Sequence, residues 1–217
     1  MRGADRPYTA AMFGTAFTWW GTAVTWLEVI ACLLAFACVV CNILENSWGW
    51  PLAIVSSGLY AWLFAHHRIY GDAGLQVFFA LTSLWGWWQW LFGRRAGAGP
   101  GERLRVVRLA PRQMRVLALA WLALWLGLGL VLTRLTDSDV PWLDAFPTAG
   151  SLLGQVLLGR KVLENWLVWM LVNVSSIALF THKQLWLTAL LYALFIGTAL
   201  IGWLRWRAVW RAGRGPI

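Results

Sequence analysis

Long apolar runs alternate with short polar breaks along most of the chain, and the run lengths predict membrane-spanning helices. The first run covers 26–44 and ends at a polar break over 45–47; a second covers 48–65. A polar loop at 66–72 precedes a third run at 73–92, and residues 93–115 form a linker rich in Arg and Gly. The fourth run, 116–133, is almost purely aliphatic apart from Trp121 and Trp125. After an acidic loop with Asp137, Asp139 and Asp144 come runs at 141–159, interrupted by Pro147, then 164–181 and 185–204, and an arginine-rich tail. Each run is close to the roughly 20 residues needed to cross a bilayer core. The pattern therefore predicts an all-α integral membrane protein with seven transmembrane helices. Residues 9–25, aromatic and small, predict an interfacial lead-in, and the polar residues 1–8 are followed by no pattern resembling a secretory cleavage site.

Composition agrees with this class: 60% of residues are hydrophobic and the mean hydropathy is +0.62. With 19 tryptophans in 217 residues, some must be interfacial belt residues, so identity alone makes no Trp functional. The net charge of +9 reads as a topology signal, not as a nucleic-acid surface. Seven spans put the linker 93–115, Arg160, Lys161 and the tail arginines Arg205, Arg207, Arg211 and Arg214 on one side. Only Arg2, Arg6, Arg68, Arg134 and Lys183 fall on the other, which places the N-terminus outside and the C-terminus in the cytoplasm. Cys32, Cys38 and Cys41 share one apolar run without a CxxC pair or a histidine partner, and read as reduced packing residues. His66 and His67 are adjacent and His182 stands alone near a loop, so no metal site is expected.

An internal repeat organises the runs. A shift of 119 residues aligns Glu45-Asn46 with Glu164-Asn165, Trp50 with Trp169, and Ser56-Ser57 with Ser175-Ser176. It also sets Ala31 and Ala35 against Gly150 and Gly154, a small-xxx-small pattern suited to close helix packing. After a three-residue length difference, the run from Gly86 to Trp90 matches that from Gly202 to Trp206. Spans 1–3 and 5–7 then form two parallel three-helix repeats joined by a linker helix, a 3+1+3 arrangement of transporter type. The implied segments are a first bundle at 26–92, a basic cytoplasmic linker and connecting helix at 93–133, and a second bundle at 134–207.

The chemistry concentrates around 164–173. Trp166, Trp169, Asn173 and Ser176 fall on one helix face, and an amide deep in an apolar helix is expensive unless it faces protein or a solvated cavity. In the 119-residue register Asn173 takes the slot of Ile54 and Gln155 that of Phe36; beyond the three-residue length difference Tyr192 takes that of Gln76. Gln76, Gln155, Trp169, Asn173 and Tyr192 are the candidate solute site, against the alternative of interhelical hydrogen bonds. Glu45 and Glu164 precede helices, where a carboxylate is favoured by the helix dipole. Arg160 and Lys161 are the expected partners of Glu164; a gate or ion-coupling role for Glu164 or Glu28 is the lesser alternative. No nucleophile elbow, zinc-protease motif or phosphate-cradling glycine loop is present, so no enzyme and no cofactor are expected.

The stretch Glu164-Asn165-Trp166-x-x-Trp169 preceded by Arg160-Lys161, the run Leu75-Gln76-Val77-Phe78-Phe79 and the ending Gly86-Trp87-x-x-Trp90 resemble PnuC-type bacterial vitamin transporters. The resemblance covers about 26–207. It implies a fold related to SWEET sugar transporters and facilitated diffusion of nicotinamide riboside across the bacterial inner membrane, a multi-pass protein in contact with lipid. It further implies trapping of the solute by a cytoplasmic kinase, and is compatible with a homo-oligomer. Family sites lie between the bundles and use Trp, Asn, Gln and Tyr. The carry-over falls on Trp169, Asn173, Gln76 and Gln155, then on Trp50, Tyr60 and Tyr192, with Trp166, Asn46 and Asn165 in the same motifs. Relatives of this type handle thiamine, riboflavin or deoxynucleosides, and a sugar is a further alternative. A non-transporting scaffold that recruits a partner through the basic linker is the competing class.

Overall fold

A computed structural model describes residues 14–19, 22–66, 70–93, 104–136, 139–182 and 186–213. The polar residues 1–8, His67, Arg68, Asp137, Lys183, Arg214 and residues 94–103 of the Arg/Gly linker lie outside that set. Seven helices appear among the described residues: α1 (Trp26–Ile43), α2 (Gly49–His66), α3 (Tyr70–Phe92), α4 (Pro111–Leu135), α5 (Pro141–Gly159), α6 (Asn165–His182) and α7 (Trp186–Ala212). They fall where the apolar runs put them, with three extensions, one of which carries α7 on to Ala212 so that Arg205, Arg207 and Arg211 belong to the helix and not to a tail. Helix α4 begins at Pro111, whose fixed φ suits a first helical position, and Gln113 Oε1 accepts the Ala110 N–H at 2.9 Å. Helix α3 begins at Tyr70, so Asp72 belongs to its first turn and not to a loop. Pro111–Leu135 and Ala189–Ala212 are both long and apolar enough to cross a bilayer.

The lead-in is not a featureless interfacial segment. Thr15–Trp19 (β1) and Thr22–Thr25 (β2) pair as an antiparallel hairpin, with Phe17 opposite Val24 and Trp19 opposite Thr22. β-Branched and aromatic side chains fit such a ladder better than a helix.

The chain divides into two compact units, one up to Trp87 and one from Trp88 onward. In the first, α1 packs on α2 and the indole of Trp50, 1% exposed, lies against Gly86 of α3. A Cβ at Gly86 would overlap that ring, so glycine is what allows the approach. In the second unit, α4 packs on α5, α5 on α6 and α6 on α7. Trp121, Trp125 and Gly129, spaced by four, form the face of α4 turned to α5. Trp121 Nε1 donates to the Phe146 carbonyl at 3.2 Å and Trp125 Nε1 to the Trp142 carbonyl at 2.8 Å. Helix α5 continues through the buried Pro147, and those two indole bonds fall just before it.

The repeat is present locally, but its register is 116 residues throughout, not 119. Glu45 and Lys161, 116 residues apart, are the two non-glycine residues at positive φ among the described residues, at 54° and 50°. The hydrogen bonds of the two turns superimpose at the same offset: Glu45 N to Asn42 O with Lys161 N to Leu158 O, and Asn46 N to Cys41 O with Val162 N to Leu157 O. Helices α2 and α6 start 116 residues apart, as do α3 and α7, so no length difference separates the copies. Glu45 therefore corresponds to Lys161, Trp50 to Trp166, Ser57 to Asn173 and Gln155 to Val39. The Glu-Asn identity that suggested 119 is coincidental. What the turn requires is a left-handed residue at one position, and Glu and Lys both fill it.

Candidate functional site

Within the second unit, one face of α6 carries Trp169, Asn173, Ser176 and Phe180 at steps of four, three and four. Asn173 and Ser176 are buried and Trp169 is half-buried. Gly154 of α5 lies beneath the Trp169 indole: a Cβ there would sit 3.1 Å from Trp169 Cε2 and 3.3 Å from Nε1. The next residue, Gln155, is buried on the same helix. Helix α7 adds Tyr192, which shares a hydrogen bond with Ser176 and stacks on Phe180 with centroids 5.1 Å apart. An edge contact with Phe195 at 6.1 Å completes the aromatic surround of the phenol. Helices α5, α6 and α7 thus each place a hydrogen-bonding side chain in the interior, with aromatic rings beside them. Such a set suits a flat solute that needs both stacking and polar partners.

Other sequence candidates occupy different places. Trp166 is buried between α6 and α7: Trp206 meets it edge-on at 5.4 Å, and a Cβ at Gly202 would come within 2.6 Å of its ring. Asn165 Nδ2 donates to the Val162 carbonyl at 2.6 Å and so ties the α5–α6 turn. In the first unit, Trp50 packs on Gly86, and Asn46 Oδ1 accepts the Trp48 N–H at 3.0 Å in the corresponding turn. These four residues build turns and helix contacts. Tyr60 on α2 and Gln76 on α3 are half-buried. The Cys38 Sγ accepts from Asn42 Nδ2 at 3.4 Å, and Cys38 and Cys41 are free thiols.

Glu164 is the residue whose setting differs most from expectation. It is 2% exposed, and its ion pair is with Arg108 of the linker, Nε to Oε1 at 3.0 Å. Its second oxygen accepts the Leu109 N–H at 2.9 Å. Lys161 instead lies over the Trp90 ring, 4.6 Å from its centroid, while Trp90 Nε1 donates to the Leu158 carbonyl at 3.2 Å. Both Glu164 oxygens are therefore engaged by the linker; the Glu28 side chain lies outside the described set. The signal that could have revealed the contact is the alternation Leu104-Arg105-Val106, apolar residues buried and arginine exposed, which is a strand pattern inside a supposed loop.

The nicotinamide mononucleotide transporter family matches residues 25–208. The nicotinamide riboside transporter PnuC of Escherichia coli is 25% identical over 86% of this chain and 87% of its own length. The riboflavin/roseoflavin transporter RibM of Streptomyces davaonensis is 24% identical over 88% of this chain and 91% of its own. A crystal structure of the vitamin B3 transporter PnuC shares the fold, with a TM-score of 0.69 at 22% identity over 86% of this chain and 83% of that one. The chain is a multi-pass membrane protein and belongs to the nicotinamide mononucleotide transporter family.

Proposed function

We propose that this chain carries nicotinamide riboside across the bacterial inner membrane by facilitated diffusion, with a cytoplasmic kinase that phosphorylates the solute maintaining its gradient. The observation that supports the reading is the α6 face that carries the half-buried Trp169 over Gly154 together with the buried Asn173 and Ser176, the last sharing a hydrogen bond with Tyr192 of α7. A cationic pyridinium gains ~0.5–2 kcal/mol over an indole, depending on desolvation. Its carboxamide and ribose need donors and acceptors, and each neutral hydrogen bond contributes about 0.5–1.5 kcal/mol net. Gln76 and Tyr60 of the first copy are kept as proposed solute contacts on the strength of the sequence resemblance. The proposed architecture is 3+1+3, with bundles at 26–92 and 134–207 joined by 93–133. The N-terminus is outside and the basic segments are cytoplasmic.

Riboflavin is the second reading, favoured by the similarity to RibM at nearly the same identity and coverage as to PnuC. Both solutes join a flat heteroaromatic ring to a hydroxylated group, a ribose ring in one and an open ribityl chain in the other. Calorimetry on the purified protein with nicotinamide riboside, riboflavin, thiamine and a deoxynucleoside separates them. Counterflow in proteoliposomes without an ion gradient tests the mechanism. Specific flux of nicotinamide riboside is expected; no flux of any of these solutes would instead support a scaffold.

A further inference from the structure

Residues 104–110 run into α4, yet their contacts are with α5, α6 and α7. Val107 N donates to the Lys161 carbonyl at 3.1 Å and Leu163 N to the Val107 carbonyl at 2.8 Å, making a parallel bridge between Val107 and Val162. Leu104 and Val106 are buried, and Val107 and Leu109 pack against the core formed by α4, α5 and α6. Arg108 reaches two further elements: its Nε binds Glu164 at the start of α6, and its guanidinium lies 5.3 Å from the Trp210 ring centroid on α7. A carboxylate as buried as Glu164 is tolerable only with partners, and two of its donors, Arg108 and Leu109, come from this segment. Further along, the Trp121 and Trp125 indoles bind α5 carbonyls and Trp142 lies against Gly129. A loose tether would need none of these bonds.

We infer that 104–110 is a strap that fastens the connecting helix α4 to α5–α7, so that the four helices move as one body during transport, with Glu164 as the positioning residue. The inference rests on the proposed transport function. Its rival is a latch that must open in every cycle. The paired variant Val107→Cys/Val162→Cys distinguishes them, because bridged strand neighbours lie about 4.8 Å apart, inside the disulfide range of roughly 4.4–6.8 Å. With the parent treated identically as control for its native cysteines, the oxidised pair in proteoliposomes should keep both solute affinity and initial uptake rate. Uptake lost on oxidation and regained on reduction, with binding intact, overturns the strap. Glu164→Gln should lower the uptake rate on the order of tenfold, within the usual range of coupling between elements, without changing affinity. The cross-link placed in that background should restore the rate. An unchanged rate in Glu164→Gln, or no restoration by the cross-link, also overturns it. If the parent carries none of the solutes, the transport reading alone fails. The strap is then decided by amide hydrogen exchange at Val107 and Leu163. Exchange should be slow in the parent and fast in Glu164→Gln, and fast exchange in the parent refutes the strap.

Discussion

Replacing Gly202 by Ala tests the central contact of the second unit with a sign opposite to helix propensity. Alanine in an exposed helix interior is worth about 0.8–1.0 kcal/mol over glycine, so substitution without contacts should stabilise α7 by that amount. At Gly202 the new Cβ would lie 2.6 Å from Trp166 Cδ2 and Cε2 and 2.7 Å from Cε3, inside contact distance of three fused-ring atoms. The ring has little room to retreat, because Trp206 stands edge-on to it at 5.4 Å and is itself fully buried. Overpacking of this kind costs about 1–3 kcal/mol, which offsets the propensity gain and leaves a net loss of up to about 2 kcal/mol. Gly197, on the same helix, has nothing within 4 Å of the point where a methyl would sit and is the internal control. Thermal or denaturant unfolding in one detergent should rank Gly197→Ala above the parent and Gly202→Ala below it, about 1–3 kcal/mol apart. Equal midpoints for the two variants would refute the tight Trp166–Gly202 contact and, with it, the packing role given to Trp166.

The repeat register predicts that Gly86→Ala, against Trp50, should destabilise like Gly202→Ala, whereas Gly58→Ala should not, and the same unfolding assay decides both. Trp125→Phe keeps an aromatic ring but loses the indole donor to the Trp142 carbonyl, so a loss of about 0.5–1.5 kcal/mol is expected by the same measurement. Lys161→Asn should be tolerated at its φ of 50° while Lys161→Val should lower the unfolding midpoint, since branched side chains disfavour left-handed backbone.

Helix positions were legible because lipid-compatible runs need a minimum length and end at polar breaks, and α5 begins and ends where its run does. The hairpin at Thr15–Thr25 was not, because its aromatic and threonine residues also fit a membrane interface. The strap was missed for a related reason: a linker dense in arginine and glycine masks the short alternation that starts at Leu104. Register failed at the turns. Matching Glu-Asn letters favoured 119 residues, but the turn is specified by backbone conformation at Glu45 and Lys161 and by the room a glycine leaves for Trp50 or Trp166. Of the candidate site, the α6 face could be read from helical spacing. The packing fate of Trp166 could not, since its neighbours Gly202 and Trp206 lie far along the chain.

The corrected register also changes what the asymmetry between the copies says about the site. Asn173 no longer stands opposite an apolar Ile54; its counterpart is Ser57, and both are buried. Ser176 corresponds to Tyr60 and Tyr192 to Gln76, so each copy supplies one phenol, from its middle helix in the first and its last in the second. Two site residues lack an aromatic or polar equivalent: Trp169, whose slot in the first copy holds Ala53, and Gln155, whose slot holds Val39. On the proposed reading, stacking is therefore a property of the second copy, and polar contact is available from both. Asn173→Leu leaves a solute polar group unpaired at a cost of about 1–3 kcal/mol, or roughly 5- to 150-fold in affinity. Ser57→Ala removes only a hydroxyl and should weaken binding by less than tenfold, about 1.4 kcal/mol. Trp169→Ala should both weaken binding and remove part of the ligand-induced quenching of tryptophan fluorescence. Titration calorimetry on the three variants with the preferred solute makes the comparison. Equal losses in Asn173→Leu and Ser57→Ala would refute the greater weight given to the second copy. An Asn173→Leu variant that binds as tightly as the parent would make this α6 face packing and move the site elsewhere.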